Sequence, residues 1–97
     1  MRIRHKSRLM TADPAEQAIL ETLAARGEQK SICPTDAART LAGNPPDESW
    51  RRSLAPIKLA AQRLARAGRI EILRKGKPVD PEVLHGVIRL RLKQQEG

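Results

Sequence analysis

Residues 68–92 read GRIEILRKGKPVDPEVLHGVIRLRL, and how this stretch is read decides the fold. In RIEIL, Ile70 and Ile72 alternate to one side; in VIRLRL, Ile88, Leu90 and Leu92 do the same, with Arg89 and Arg91 opposed to them. Period-two alternation in runs this short marks half-buried strands, and the two are expected to pair antiparallel. The connection between them, residues 74–86, is longer than a tight hairpin. Its second part, DPEVLHG, resembles a single helical turn, with Asp80 as cap, Pro81 in first position and Gly86 at the end. Arg74, Lys75 and Lys77 crowd the first bend, so the hairpin has a positively charged tip.

Immediately upstream, ESWRRSLAPIKLAAQRLARAGR places Trp50, Leu54, Ile57, Ala61 and Leu64 at alternating spacings of four and three, the apolar stripe of a helix that Gly68 stops. Inside such a helix Pro56 removes the hydrogen bond to the carbonyl of Arg52 and clashes with it. Two readings are open: one kinked helix over residues 48–67, or a short helix ending near Leu54 and a second beginning at Pro56. The apolar phase passes through Pro56 without a slip, which favours the kinked helix. In both, one face is buried, Trp50 is expected to pack at least partly against the first helix, and Arg51, Arg52, Lys58, Arg63 and Arg66 fall on the flank and far side. No acidic residue occurs from Ser49 to Ile70, whereas an ordinary solvated helix face mixes both signs. Leu59 stands among these cations and is expected to be exposed.

Further upstream, DPAEQAILETLAARG signals a helix: Asp13 can cap it, Pro14 takes the first position, where its missing N–H is harmless, and Gly27 can end it. Ala15, Ile19, Leu20, Leu23 and Ala24 would line its inner face. In KSICP, Ile32 and Cys33 form a brief extended piece that Pro34 keeps short. TDAARTLAG then reads as a second, short helix starting at Pro34 or Thr35, with Ala38 and Leu41 inward and Gly43 at its end. GNPPDE is a loop.

Composition limits what this arrangement can be. Ninety-seven residues make one domain with a modest core. With no Phe, no Tyr and only Trp50, that core must come from Leu, Ile, Val and Ala, and deep pockets are not expected. The single cysteine, Cys33, excludes a disulfide framework and a cysteine-rich metal cluster; His5 and His85 are too isolated to replace one. No run approaches a membrane span and the basic N-terminus lacks the apolar region of a secretory signal, so the expected location is cytoplasmic, with no membrane partner and no cofactor.

The net charge is +8, and its distribution is uneven. Residues 1–12 carry Arg2, Arg4, Lys6 and Arg8; residues 13–48 carry three basic against seven acidic groups; residues 49–97 carry twelve against four. The excess thus lies on the C-terminal half plus an N-terminal arm, the pattern of a footprint for a polyanion. The expected organisation is a flexible basic arm over residues 1–11, a folded domain over 12–93 and a disordered tail over 94–97.

Helix, short strand, helix, long helix and a two-stranded hairpin with a basic tip is the element order of a winged helix-turn-helix: an α+β fold of three helices with a small antiparallel sheet. The chain also resembles a small uncharacterised bacterial family, a domain of unknown function with winged-helix architecture. The resemblance is carried by Ser31-Ile32-Cys33-Pro34, Trp50-Arg51, Gly68-Arg69-Ile70-Glu71, Gly76, Val79-Asp80-Pro81 and Gly86 with Ile88-Arg89-Leu90. It implies a fold and no activity, ligand or catalytic residue. The turn over residues 43–47 and Pro56 depart from the common helix-turn-helix pattern.

The function this predicts is binding of double-stranded DNA, as in a transcriptional regulator, with the helix over 48–67 in the major groove and the tip at 74–77 on the adjacent backbone or minor groove. Arg51 and Arg52, near the start of the helix, would read bases, because a guanidinium fork matches the two acceptors on guanine. Lys58, Arg63, Arg66, Arg74, Lys75 and Lys77 would contact the backbone. The alternative is a protein-interaction module in which the winged helix is a scaffold, with a protein partner or a second copy meeting the Leu59 region. Single-stranded RNA fits less well, since no Phe or Tyr offers a stacking platform. No enzyme is expected: there are no paired carboxylates, no Ser, His and acid grouping, no phosphate-binding glycine loop and no metal spacing. Cys33 precedes a helix start, where a thiolate is favoured and a redox sensor could be built; a small buried hydrophobe is the simpler expectation.

Overall fold

The computed structural model describes residues 13–27, 29–82 and 86–93. In chain order these form α1 (Pro14–Arg26), β1 (Ser31–Ile32), α2 (Pro34–Leu41), a 3-10 turn (Ser49–Ser53), α3 (Leu54–Arg66), β2 (Ile70–Arg74), β3 (Lys77–Val79) and β4 (Arg89–Leu92). The three helices and one antiparallel sheet, in the order β1-β4-β2-β3, make an α+β fold compatible with a winged-helix arrangement. The expected arm and tail lie outside the described residues, as do residues 83–85 of the expected helical turn; Asp80 Oδ1 does accept from the Glu82 N–H at 2.8 Å at its start.

The helix boundaries follow from their sequence signals. Asp13 Oδ1 accepts from the N–H groups of Ala15 and Glu16, at 2.8 and 3.2 Å, supplying partners to donors a helix start leaves unpaired. Gly27, at φ 119°, ends α1 in a conformation L side chains rarely adopt. The buried residues of α1 are Ala15, Ala18, Ile19, Leu20 and Leu23; Ala24, expected inside, is exposed. At about 100° per residue Ala24 turns past the edge of the buried arc that Leu20 closes, while Ala18 forms its opposite edge. The second helix starts at Pro34, and the Asp36 carboxylate accepts from the Cys33 N–H at 3.0 Å. Ala37 joins Ala38 in the core, with Leu41 half-buried against it.

Around Pro56 neither reading holds as stated: a 3-10 turn over Ser49–Ser53 runs into α3, which begins at Leu54 and takes Pro56 into its first turn. Pro56 is the third residue of α3, where no N–H is needed for an intrahelical bond, so the helix loses nothing by it. The apolar phase survives because the 3-10 turn runs directly into α3: Trp50 and Leu54 pack partly against the core that Ile57, Ala60, Ala61 and Leu64 complete.

The wing has one more strand than the sequence suggested. β2 and β3 pair as Arg74↔Lys77, Leu73↔Pro78 and Ile72↔Val79 around a two-residue bend, Lys75 at φ 54° and Gly76 at φ 81°. Two positive φ values give the turn whose twist matches paired strands. Pro78 is accommodated because β3 is an edge strand with one face of its backbone unpaired. β4 lies between β1 and β2, so that Ile32, Leu90 and Ile72 stand in one row across three strands, all buried. Among the described residues no charged or polar side chain is buried, and no helix is long and apolar enough to cross a membrane.

Candidate nucleic-acid interface

The outward ridge of α3 and its preceding turn consists of Arg52, Ala55, Pro56, Leu59, Arg63 and Arg66, all exposed. Arg52, Pro56, Leu59, Arg63 and Arg66 recur at three or four residues, with Ala55 beside Pro56, which puts them along one line of the helix. The middle of the ridge is small or apolar, with Leu59 more than half exposed at 55%, and its ends are cationic. The half-exposed Lys58 and Gln62 flank it.

The predicted basic residues divide by what they already hold. Arg63 bridges α3 to the start of α1, with its Nε 2.6 Å from Glu16 and a terminal nitrogen 2.5 Å from Asp13. The hydrogen bond that Arg63 donates to Glu16, with the charge of Asp13 behind it, raises the Arg63 pKa above its ordinary value, so this guanidinium stays charged at every working pH. Arg66 pairs with Glu82 in the segment after β3, and Gln62 donates to the Pro81 carbonyl at 3.1 Å. These two residues fix the outer part of the wing against α3. Arg51 pairs with Glu48 three residues back at 3.0 Å, both side chains well exposed. Arg74 packs against the backbone of Gly86, where an added Cβ would lie 3.1 Å from its guanidinium. Arg52, Lys58, Lys75 and Lys77 hold no ion pair with the described residues, and all but Lys58 are exposed.

Arg63 and Arg66, expected on phosphates, are therefore first of all braces between elements. Because the Arg63 side chain is 44% exposed, water screens its pairs. Arg63→Ala should cost about 1 kcal/mol or less in a urea melt and leave duplex affinity nearly unchanged; a loss of affinity much larger than this would return Arg63 to the binding surface.

One contact had no precursor in the sequence reading. The 3-10 turn lies on α2 rather than on α1, and the Arg39 guanidinium of α2 sits over the Trp50 ring, its Cζ 4.9 Å from the centroid. Arg51 Cζ lies 5.1 Å from the same centroid. Residues 39 and 50 are separated by the loop, and no periodicity links them. Elsewhere, Arg91 pairs with Glu71 at 2.6 Å and Arg89 donates to Ser31 Oγ and its carbonyl at 2.7 and 2.9 Å, so the arginines of β4 stitch the outer face of the sheet. The N–H of Cys33 is taken by Asp36, so the start of α2 is met by a carboxylate of its own. No group of three or more His, Cys, Asp or Glu that could hold a metal stands among the described residues.

Compared with known families, residues 12–93 match the model of the family described as Protein of unknown function (DUF3253). No curated protein matches the chain.

Proposed function

We propose, from the premise that the chain belongs to this family of unknown function, that it binds double-stranded DNA as a winged helix, with α3 in the major groove and the β2–β3 hairpin on the flanking backbone. The observation that carries the reading is the ridge of α3: a line of exposed side chains, small and apolar in the middle, with Arg52 holding no ion pair among the described residues at its start, while Arg63 and Arg66 at its far end are taken by Asp13, Glu16 and Glu82. A ridge of that kind suits a groove. Ala55 and Pro56 allow close approach, Leu59 can meet the methyl group of thymine, and Arg52, without an ion pair among the described residues, has its whole fork for the two acceptors of guanine. Arg51, held by Glu48 and Trp50, does not have its whole fork for a base and leaves the reading to Arg52. Lys58, Lys75 and Lys77 serve phosphates, which position the protein without reading sequence. A transcriptional regulator is the role this chemistry serves.

The reading separates two kinds of variant. Arg52→Ala should flatten sequence preference by about 1 to 3 kcal/mol at one base pair, whereas Lys75→Ala should weaken all duplexes alike. Selection from a random duplex pool, followed by anisotropy on the selected and scrambled sites, measures both. Equal effects of the two substitutions on both sites would remove Arg52 as a reader. The second reading, a scaffold that binds an acidic protein or a second copy, draws on Leu59 alone; it gains if random duplex fails to bind at low salt.

A further inference from the structure

The Trp50 ring carries two guanidinium groups, and the proposed docking of α3 does not account for this. Arg39 comes from α2 and Arg51 from the turn before α3, and both Cζ atoms lie within about 5 Å of one centroid. Like charges do not gather on one ring without a reason. Stacking on a π face contributes only a modest attraction at an exposed site. Glu48 offsets Arg51. Arg39 is exposed and holds no ion pair with the described residues. Trp50 itself is half-buried and wedged against the core, so the ring is a fixed surface and not a mobile one.

We infer that Arg39, Trp50 and Arg51 form a bracket for a backbone phosphate of the bound duplex, in which Trp50 is a positioning residue that holds both guanidiniums ready. The inference rests on the duplex-binding reading and extends the contact surface from α3 to α2. A guanidinium stacked on a ring keeps its N–H edge for a partner, and a planar fork matches two phosphate oxygens; Arg51 donates its Nε to Glu48 and has its terminal nitrogens to offer. Pre-ordering two long side chains on a rigid ring removes part of the entropy that binding would otherwise have to overcome. The position fits as well: Arg39 lies on the helix that precedes α3 in the helix-turn-helix order, the one expected to cross the backbone while α3 enters the groove. Arg39 was not among the residues expected from sequence because it sits in the half of the chain whose charges cancel.

Trp50 makes the test direct, since with no Tyr or Phe it is the only source of near-ultraviolet emission. Random duplex is titrated into the full chain while Trp50 emission and the anisotropy of a labelled duplex are followed together, at several salt concentrations. The expected result is an emission change that saturates with the anisotropy. Arg39→Ala should lower the magnitude of the salt slope by about 0.9, one phosphate's worth, and weaken all sequences alike. Trp50→Phe, which keeps a ring, should lower it by less than Trp50→Ala, judged on samples whose circular dichroism matches the parent. If duplex binds with the parent slope in Arg39→Ala, or binds without changing Trp50 emission, the bracket is overturned and the docking of α3 stands. Absence of duplex binding at low salt overturns both.

Discussion

Raising salt from roughly 50 to 200 mM should weaken binding to random duplex by about forty- to a hundred-and-fiftyfold. The expectation comes from counting cations that hold no ion pair with the described residues, not from net charge. Lys58, Lys75 and Lys77 are three such groups set against phosphates, Arg52 being assigned to a base, and the Arg39–Trp50–Arg51 bracket would add one phosphate. Each neutralised phosphate contributes about minus 0.9 to the slope of log affinity on log salt, so the slope should lie between about minus 2.7 and minus 3.6. Counting all eight basic residues expected from sequence would give a steeper slope, but Arg63 and Arg66 are engaged with Asp13, Glu16 and Glu82. Replacing Arg74, Lys75 and Lys77 together by Ala should reduce the magnitude of the slope by about two, because Arg74 lies along the Gly86 backbone and the two lysines carry the effect. A triple variant with the parent slope would mean that the wing does not touch nucleic acid, and the scaffold reading would then account better for the charge.

What could be read from the sequence was what is local in it. Asp13-Pro14 and Gly27 bound α1, and the alternation of Ile70 and Ile72 and of Ile88 and Leu90 yields the paired strands with the correct inward faces. β3 was hidden for a physical reason. It is three residues long, contains Pro78, and follows a turn in which a lysine takes positive φ, a role that sequence signals assign to Asn or Asp. The segment around Pro56 was ambiguous because periodicity reports which face is buried and not which hydrogen bonds are made; a 3-10 turn and an α-helix can share one apolar stripe. The candidate site was legible as a list of cations and illegible as a surface. The Arg63 and Asp13 charges that neutralise each other stand 50 residues apart in the chain, and the Arg39 and Trp50 pair spans the loop between α2 and the 3-10 turn. Long-range pairing decides which basic residues have charge to spare, and spacing along a helix does not encode it.

Leu90→Ala should destabilise the protein by about 2 to 5 kcal/mol, a large fraction of the roughly 5 to 15 kcal/mol that holds a domain of this size together. Leu90 has no exposed surface and lies in β4, the strand that joins β1 to the β2–β3 wing. Its partners across the sheet are Ile32 on one side and Ile72 on the other, both buried. Truncation therefore opens a cavity at the middle of an aliphatic row, where neither flanking strand can move in without breaking its register. No aromatic ring stands in the core cluster to close over the gap: the only one in the chain, Trp50, packs at its margin. In a urea melt the midpoint should fall with the slope unchanged, since the native surface is the same and only the stability differs. Val87→Ala supplies the contrast: that side chain is 83% exposed, and its loss should stay within about 0.5 kcal/mol. If Leu90→Ala cost less than about 1 kcal/mol, β4 would not be the packed centre of the sheet. The wing would then have no rigid attachment to the helices, and a binding surface shared between α3 and the hairpin tip could not be maintained.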